Sequence, residues 1–451
     1  MTQLRMLGWF GILRLGLIQT ALGAVVVLTT STLNRIMVVE LALPAVLPGF
    51  LVALHYAVQM SRPRMGYGSD RGGRGTPWII GGMAVLALGG VGAASGVALT
   101  GVDRLAGIAV LLLAFVVIGA GVGAAGTNLL VILAKQVDSA RRAPAASIVW
   151  IMMIAGFAVT ASIAGQFLDP YSPMRLIAVS GTVSLIAFVL TVLCVWGVEG
   201  EGDTRGRSDA GGRGEHHPPF FEAFKQVIAE PQARRFTLFV FVSMLAYNLQ
   251  DLILEPFAGT VFGMTPGQST SLSGMQHTGV LIGMIAVALA GSRLRGRLGS
   301  LRHWCIGGCL ASGLALFGLV MGGQVAGSYP ITVNVMLLGA ANGAFAVAAI
   351  GSMMSLAGQG REQREGVRMG MWGAAQAIAF GLGSFLGTAA IDVTRLFVAE
   401  PAVAYGIVFA AEAGLFVVAA VLAARVHKTE GTGRAIGMSG AAEGYATGVG
   451  S

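Results

Sequence analysis

The feature that most constrains the fold of this chain is its division into apolar runs, each long enough to cross a membrane as a helix. Of the 451 residues, 55% are hydrophobic and 11% are charged, against roughly 25% charged in a soluble domain. Because a soluble protein of this size could not bury so much apolar surface, the solvent around these runs must be lipid. At about 20 residues per span, the sequence predicts spans at 15–37, 44–61, 77–99, 105–134, 144–167, 174–197, 235–257, 268–290, 303–326, 330–357, 368–391 and 402–425.

The distribution of Lys and Arg predicts the orientation of the spans. Loops on the cytoplasmic side of membrane proteins are enriched in these residues. With the N-terminus inside, 25 of the 29 Lys and Arg lie on the cytoplasmic side, and the net charge of +8 needs no nucleic-acid partner. We therefore expect a multi-pass membrane protein with both termini in the cytoplasm. The outer side carries only Arg35, Arg104, Arg175 and Arg395.

One long polar segment divides the chain into two parts. It follows the sixth run and is rich in Gly, Arg and Asp before a stretch at 220–228 that has the pattern of an amphipathic helix on the membrane surface. The predicted organisation is a six-helix half, a cytoplasmic linker, a second six-helix half and a disordered cytoplasmic tail, at 1–198, 199–234, 235–425 and 426–451.

A basic, glycine-rich turn after the second run resembles the loop between helices 2 and 3 of the major facilitator superfamily. The resemblance implies an all-α polytopic membrane protein with twelve transmembrane helices in two six-helix halves, arranged as parallel repeats. It also implies that the turn holds the halves together on the cytoplasmic side and acts in conformational gating. A weaker echo at 291–299 has no counterpart of the aspartate. The residues of the turn that carry the pattern are Gly66, Asp70, Arg71, Gly73 and Arg74.

Polar residues near the outer end of span 7 are candidates for chemistry, because ionisable groups are costly at membrane depth. Gln250, Asp251 and Glu255 precede Pro256 in this span. At helical spacing, Asp251 and Glu255 share one face of the helix. Pro256 is expected to end or kink the helix.

Span 1 has a comparable polar outer end, at Asn34, Arg35 and Glu40. The repeat predicts that spans 1 and 7 lie near one another. We therefore expect Arg35 to pair with Asp251 or Glu255 near the outer mouth. The alternative is that Glu40 and Glu255 simply lie in interfacial water.

Histidines and amides form a second group of candidates. His55 lies in span 2 with Gln59 one turn later, His277 lies in span 8, and Gln376 lies in span 11. A lone histidine in a membrane helix is more often a hydrogen-bonded packing residue than a ligand, but spans 2 and 8 are equivalent in the two halves. Most of the amides are expected to form hydrogen bonds between helices.

Three stretches in order resemble the PucC/LhaA family of bacteriochlorophyll delivery proteins. They are residues 13–17 with 32–41, residues 250–256 and residues 369–381, and the resemblance extends over about 10–425. The stretch from His55 to Gln59 resembles the members that are encoded among pigment-synthesis genes.

This resemblance implies a non-enzymatic assembly factor of the photosynthetic intracytoplasmic membrane. Its cargo would be bacteriochlorophyll or a precursor, and its partners the lipid bilayer, antenna polypeptides and pigment-synthesis enzymes. We expect no catalytic residue and no resident metal, but His55 and His277 are candidate axial ligands to the magnesium of a chlorin. The candidate residues for pigment or substrate are His55, Gln59, Gln250, Asp251, Glu255, His277 and Gln376.

Two other functions stay open. One is a secondary transporter of a small solute, coupled to protons through Asp251 or Glu255. The other is a structural membrane partner of a pigment-synthesis enzyme, with 220–228 as the contact. Because the sequence contains no Walker A motif, it does not predict an ATP-driven pump.

Overall fold

The computed structural model describes residues 7–61, 74–138, 141–199, 229–293, 300–357 and 365–443, and it is helical without strands in these ranges. Within them, 11 helices are long and apolar enough to cross a membrane, and α2 is a shorter apolar helix. The helices are α1 (Trp9–Glu40), α2 (Val46–Gln59), α3 (Thr76–Thr100), α4 (Arg104–Gln136), α5 (Arg142–Leu168), α6 (Pro173–Val195), α7 (Pro231–Phe262), α8 (Pro266–Arg293), α9 (Leu301–Gln324), α10 (Ile331–Ala357), α11 (Glu365–Phe397) and α12 (Pro401–Glu443).

Each predicted span coincides with one of these helices, but several ends differ. Helix α1 begins at Trp9 rather than at residue 15, because its first turns pack against the rest of the half: Ile12 and Leu15 are fully buried in a cluster with Ile132 of α4. Helix α12 continues to Glu443, beyond the predicted end of the last span at residue 425. Because extending an existing helix requires no new nucleation, a sequence with a weak helical tendency can be helical when it directly follows a membrane span.

The packing of the helices repeats between the two halves. In the first half, α1 packs on α5 and α6, α3 packs on α4 and α6, and α2 packs on α4. The same pairs recur in the second half when six is added to each number. The close approaches use glycine: a Cβ on Gly339 of α10 would lie 2.0 Å from Gln276 O of α8. The predicted major-facilitator-type fold is confirmed.

The two halves contact each other through α5 with α8 and through α2 with α11, again an equivalent pair. Both contacts include an aspartate at the distal end of the bundle, which we define as the end formed by the α1–α2, α5–α6, α7–α8 and α11–α12 connections. Asp392 Oδ1 and Oδ2 accept from Ala45 N and Val46 N, over 3.0 and 2.7 Å. Asp169 accepts from Gly267 N over 3.1 Å and from the Thr265 hydroxyl. Each half therefore caps the start of a helix in the other half.

At the opposite, proximal end, the predicted gating turn lies almost entirely outside the described residues. This holds for Gly66, Asp70, Arg71 and Gly73, whereas Arg74 is exposed just before α3. The predicted amphipathic stretch at 220–228 and most of the echo at 291–299 also lie outside. Glu199, the first linker residue, accepts from Gly75 N and Thr76 N over 2.9 and 2.8 Å and caps α3.

Candidate functional site

The distal part of α1 departs from regular α-helix. Two π-helical turns, Leu28–Thr32 and Ile36–Glu40, flank a single α-helical turn at Leu33–Arg35. Such turns are rare and are found frequently at functional sites. They direct Asn34 and Arg35, which are 0% and 2% exposed, into the protein interior.

Helix α7 is interrupted at the corresponding depth. It consists of α7a (Pro231–Asp251) and α7b (Leu254–Phe262), and Pro256 lies in the first turn of α7b. The predicted interruption at Pro256 is therefore confirmed. Because proline has no N–H, it cannot donate to the carbonyl four residues earlier, which is Leu252 O. Asn34 Nδ2 of α1 donates to this carbonyl instead, over 2.5 Å.

Arg35 does not form the ion pair predicted from the sequence. Its Nη1 donates to Glu40 Oε1 over 2.5 Å, and its Nη2 donates to Met264 O over 2.6 Å. The predicted pairing with Asp251 or Glu255 is wrong because a π-helical turn places residues five apart above one another. Glu40 thereby reaches Arg35 on the same helix, and it is 34% exposed rather than simply in interfacial water.

Glu255 is 1% exposed, and its surroundings are polar. The hydroxyls of Ser31, Ser269 and Ser273 and the guanidinium of Arg35 face its carboxyl group, although none meets hydrogen-bond geometry with it. The side chains of α1 and α8 also meet directly, since Ser31 Oγ lies 3.5 Å from Ser273 Oγ and Thr32 Oγ1 lies 3.1 Å from Thr270 Oγ1. We call the following residues the distal polar cluster: Ser31, Thr32, Asn34, Arg35, Glu40, Glu255, Ser269, Thr270 and Ser273.

Asp251 belongs to different surroundings. The break at Leu252–Ile253 separates it from Glu255, so the prediction that the two acids share a helical face is wrong. Asp251 is half-buried and interacts electrostatically with Tyr247 and with Glu412 of α12. The sequence analysis missed Glu412, which is 1% exposed. The sequence did contain an indication of Glu412, because it is the lone charged residue between Pro401 and Ala424.

An aromatic row crosses the molecule between the halves. The ring centroids of His55 and Tyr56 in α2 are 5.1 Å apart, and Tyr56 lies 5.8 Å from Phe380 in α11. Phe380 lies 6.3 Å from Tyr247 in α7a, which lies 6.2 Å from Phe345 in α10. We call these five residues the central aromatic row. Tyr56, Tyr247 and Phe380 are half-buried, so these residues stay partly accessible.

Three further predicted residues lie beside this row. His55 Nε2 is 2.6 Å from Gln59 Nε2. Gln376 is half-buried one turn before Phe380, with its Nε2 3.9 Å from Met244 Sδ. Gln250 is fully buried, and neither atom of its amide has a hydrogen-bond partner among the described residues.

His277 lies elsewhere, in the contact between α5 and α8. Its Nδ1 is 2.8 Å from Ser273 O, and its ring meets Phe157 edge-on at 5.1 Å between centroids. The two candidate histidines therefore occupy different sites, although their helices are equivalent. In the described part of the chain, no group of three His, Cys, Asp or Glu residues could hold a metal ion.

Comparison with known proteins supports both the fold and a family. A bacterial homologue of the human lysosomal transporter Spinster, solved in an inward-facing and unoccupied conformation, has a TM-score of 0.67 with 16% identity, covering 95% of this chain and 98% of that one. This likeness shows the fold alone.

Two relatives share more sequence identity with this chain. The "Bacteriochlorophyll synthase 44.5 kDa chain" of Rhodobacter capsulatus is 54% identical over 428 residues, covering 95% of this chain and 98% of that protein. "Protein PucC" of the same organism is 28% identical and covers 93% of each chain. The family described as "PUCC protein" matches residues 32–431. This multi-pass membrane protein therefore belongs to the PUCC protein family.

Proposed function

We propose that this protein is a non-enzymatic assembly factor that holds bacteriochlorophyll or a precursor as cargo and delivers it to nascent light-harvesting polypeptides. The observation that carries the proposal is the central aromatic row. A tetrapyrrole is a large, flat and mostly apolar ring, and aromatic side chains bind such surfaces by offset or edge-on stacking. The half-buried rings of α2, α7a and α11 lie where the two halves meet, and the proposal is that a ring of this kind enters there.

The polar groups of the same region favour a flat cargo over a sugar or a peptide. Small polar solutes are held by several convergent polar groups near the midplane. Beside the row, Asp251 and Gln376 are half-buried, whereas Gln250 is fully buried. Asp251 and Gln376 are too few to surround a polar solute, but they are enough to orient a flat ring by one of its edges.

The two candidate magnesium ligands are not equal in this proposal. His55 adjoins Tyr56 within the aromatic row, whereas His277 packs on Phe157 in the contact between α5 and α8. We therefore propose His55 as the axial ligand of a bound chlorin. Gln59, at hydrogen-bonding distance from His55, would orient the ring.

The printed name of the relative at 54% identity is that of a chain of a bacteriochlorophyll synthase. This supports a place next to a pigment-synthesis enzyme, from which the cargo would be received. We propose that the protein lies in the photosynthetic inner membrane with both termini in the cytoplasm and that its other partners are antenna polypeptides. Association with such an enzyme would make it a subunit without catalytic residues of its own.

The experiment is purification in mild detergent followed by an absorption spectrum. We expect bound bacteriochlorophyll or precursor, reduced at least several-fold by Tyr247→Ala or Phe380→Ala. Phe317→Ala is the matched control, because Phe317 is 52% exposed on the outer surface of α9. A colourless protein, together with normal antenna levels in a deletion strain, would contradict the proposal.

A second candidate, a proton-coupled transporter, is favoured by one observation. Neither oxygen of the buried Glu412 carboxyl group forms a hydrogen bond with any described residue, and Asp251 faces it from α7a. Two carboxyl groups that approach each other inside a membrane are an arrangement typical of proton relays. Substrate-induced proton flux in proteoliposomes that is lost in Asp251→Asn would support this function and would argue against the first.

A further inference from the structure

A lateral groove opens between α5 and α6 on the side of the first half. Both helices pack on α1 and make few contacts with each other, so that α1 forms the floor of the groove. The floor side chains are small, at Thr20, Ala21 and Ala24. The cavity has a volume of about 580 Å³, and its walls are almost entirely apolar.

The length of the groove matches a single hydrocarbon chain. Along α6 it extends from Arg175 to Leu190, which is about 22 Å at about 1.5 Å per residue. Half of the hydrocarbon core of a bilayer is about 15 Å. The groove therefore begins at the distal end and reaches past the midplane. Its walls stay open to the side, since Ile163 and Ile186 are 51% and 60% exposed.

A positive charge stands at the distal end of this groove. Arg175 is half-buried, and its Nη1 donates to Asp169 O over 2.5 Å. Among the described residues, no carboxylate lies within ion-pair distance of its guanidinium. An arginine at this depth recognises phosphate well, because its planar fork donates two parallel hydrogen bonds.

A second groove shows the same combination. It lies between α2, α4 and α11, has a volume of about 450 Å³ and is lined by apolar residues and by Arg104 at the distal end. Of the four arginines near the distal end, two thus stand at the mouths of apolar grooves. This pattern suits an amphiphile with an anionic head and an apolar tail.

We propose that the groove between α1, α5 and α6 is a binding site for an anionic phospholipid, with the phosphate at Arg175 and one acyl chain along α1. The site also adjoins the contact between the halves. Arg175 binds the backbone carbonyl of Asp169, and the carboxylate of Asp169 accepts from Gly267 N at the start of α8. Phosphate bound at Arg175 therefore stabilises the α5–α8 contact. The site does not depend on the pigment cargo proposed above.

The test is native mass spectrometry of the full-length protein after reconstitution in nanodiscs of phosphatidylglycerol or of phosphatidylcholine. We expect one phosphatidylglycerol to be retained and phosphatidylcholine to be lost. Arg175→Gln removes a charge-assisted hydrogen-bond donor, and we expect it to lower retention by about tenfold. Arg395→Gln is the matched control, since it removes an exposed arginine of the distal end that lines neither groove, and retention should stay at the wild-type level.

A second variant separates the chain from the head group. Ala24→Phe fills the floor of the groove and leaves Arg175 in place, so that retention should also fall. If this variant does not fold, Arg175→Lys carries the test, with retention expected between wild type and Arg175→Gln. Equal retention of both lipids, or retention unchanged in Arg175→Gln, would overturn the proposal, as would recovery of pigment in place of lipid from this groove.

Discussion

Helices α1 and α7 are equivalent in the two halves, and both are irregular near the distal end, but in different ways. Helix α1 stays continuous through two π-helical turns, whereas α7 breaks at Leu252–Ile253 ahead of Pro256. Side chains of the irregular part of α1 donate hydrogen bonds to carbonyl groups around the break in α7. Asn34 of α1 supplies the hydrogen bond that Pro256 removes from α7, and Arg35 binds the Met264 carbonyl after α7b.

The comparison shows how two equivalent helices can acquire different, complementary polar groups. The α1 side contributes donors, at Asn34 and Arg35, and the α7 side contributes free carbonyls and the Glu255 carboxyl group. Two identical helices would place like groups opposite each other. The asymmetry therefore stabilises the distal contact, and each of the following changes alters it.

The largest effect is expected for Arg35→Met. This change leaves Met264 O without the buried guanidinium that donates to it, and it removes the cation paired with Glu40, which is 34% exposed. We expect the free energy of unfolding to fall by about 3 kcal/mol. Denaturation in detergent measures it, with the exposed Arg395→Met as the control. A loss no larger than that of the control would show that the arginine does not stabilise the fold.

A double-mutant cycle tests the contact between Asn34 and the break in α7. We expect Asn34→Ala to cost about 1–2 kcal/mol, because Leu252 O then has no donor. In a Pro256→Ala background, the new backbone N–H can bond Leu252 O, so the same change should cost about 1 kcal/mol less. Strict additivity of the two changes would contradict this account.

The two interhalf caps should differ slightly. Asp392→Ala frees two backbone N–H groups, whereas Asp169→Ala frees one and the hydroxyl of Thr265, which is exposed and can bind water instead. We therefore expect costs of about 1 kcal/mol with Asp392 the larger. Hydrogen exchange should accelerate at Ala45 and Val46 in the first variant and at Gly267 in the second. The Asn variants keep an acceptor oxygen and are the controls, and exchange that rises equally at all three amides would contradict separate caps.

The smallest effect concerns Tyr171, in the α5–α6 connection outside the membrane spans. Burial raises the pKa of its phenol, Glu40 raises it further, and Arg35 lowers it. Since the folded pKa exceeds the unfolded value of about 10, the contribution to stability is complete below pH about 10 and is lost as the pH rises through the folded pKa. Glu40→Gln should lower the pKa, which ultraviolet titration measures against Tyr171→Phe. A pKa that rises in this variant would contradict the arrangement.

Much of the fold could be predicted because it depends on local composition. Runs of apolar residues determine where helices cross the membrane, and each predicted span coincides with a described helix. The interruption near Pro256 also follows from one residue, since proline lacks a donor wherever it stands. The continuation of α12 to Glu443 did not follow, because the helical tendency of a short polar segment depends on the helix before it.

The site was less predictable, because its contacts join residues far apart in the chain. A 3.6-residue period placed Asp251 and Glu255 on one face and could not indicate a break between them. It also gave no sign of π-helical turns, which bring Glu40 to Arg35. The aromatic row joins α2, α7a, α10 and α11, and only their packing shows that these rings are neighbours.

The sequence by itself determined that this protein is a helical membrane protein of two similar halves, and it indicated which buried polar residues to consider. The tertiary structure decided which of them meet. The physical reason is that lipid selects apolar runs residue by residue, whereas a buried donor or carboxyl group is stabilised by whichever partner the packing brings within hydrogen-bonding distance. For Asn34 that partner is the Leu252 carbonyl, 218 residues away along the chain.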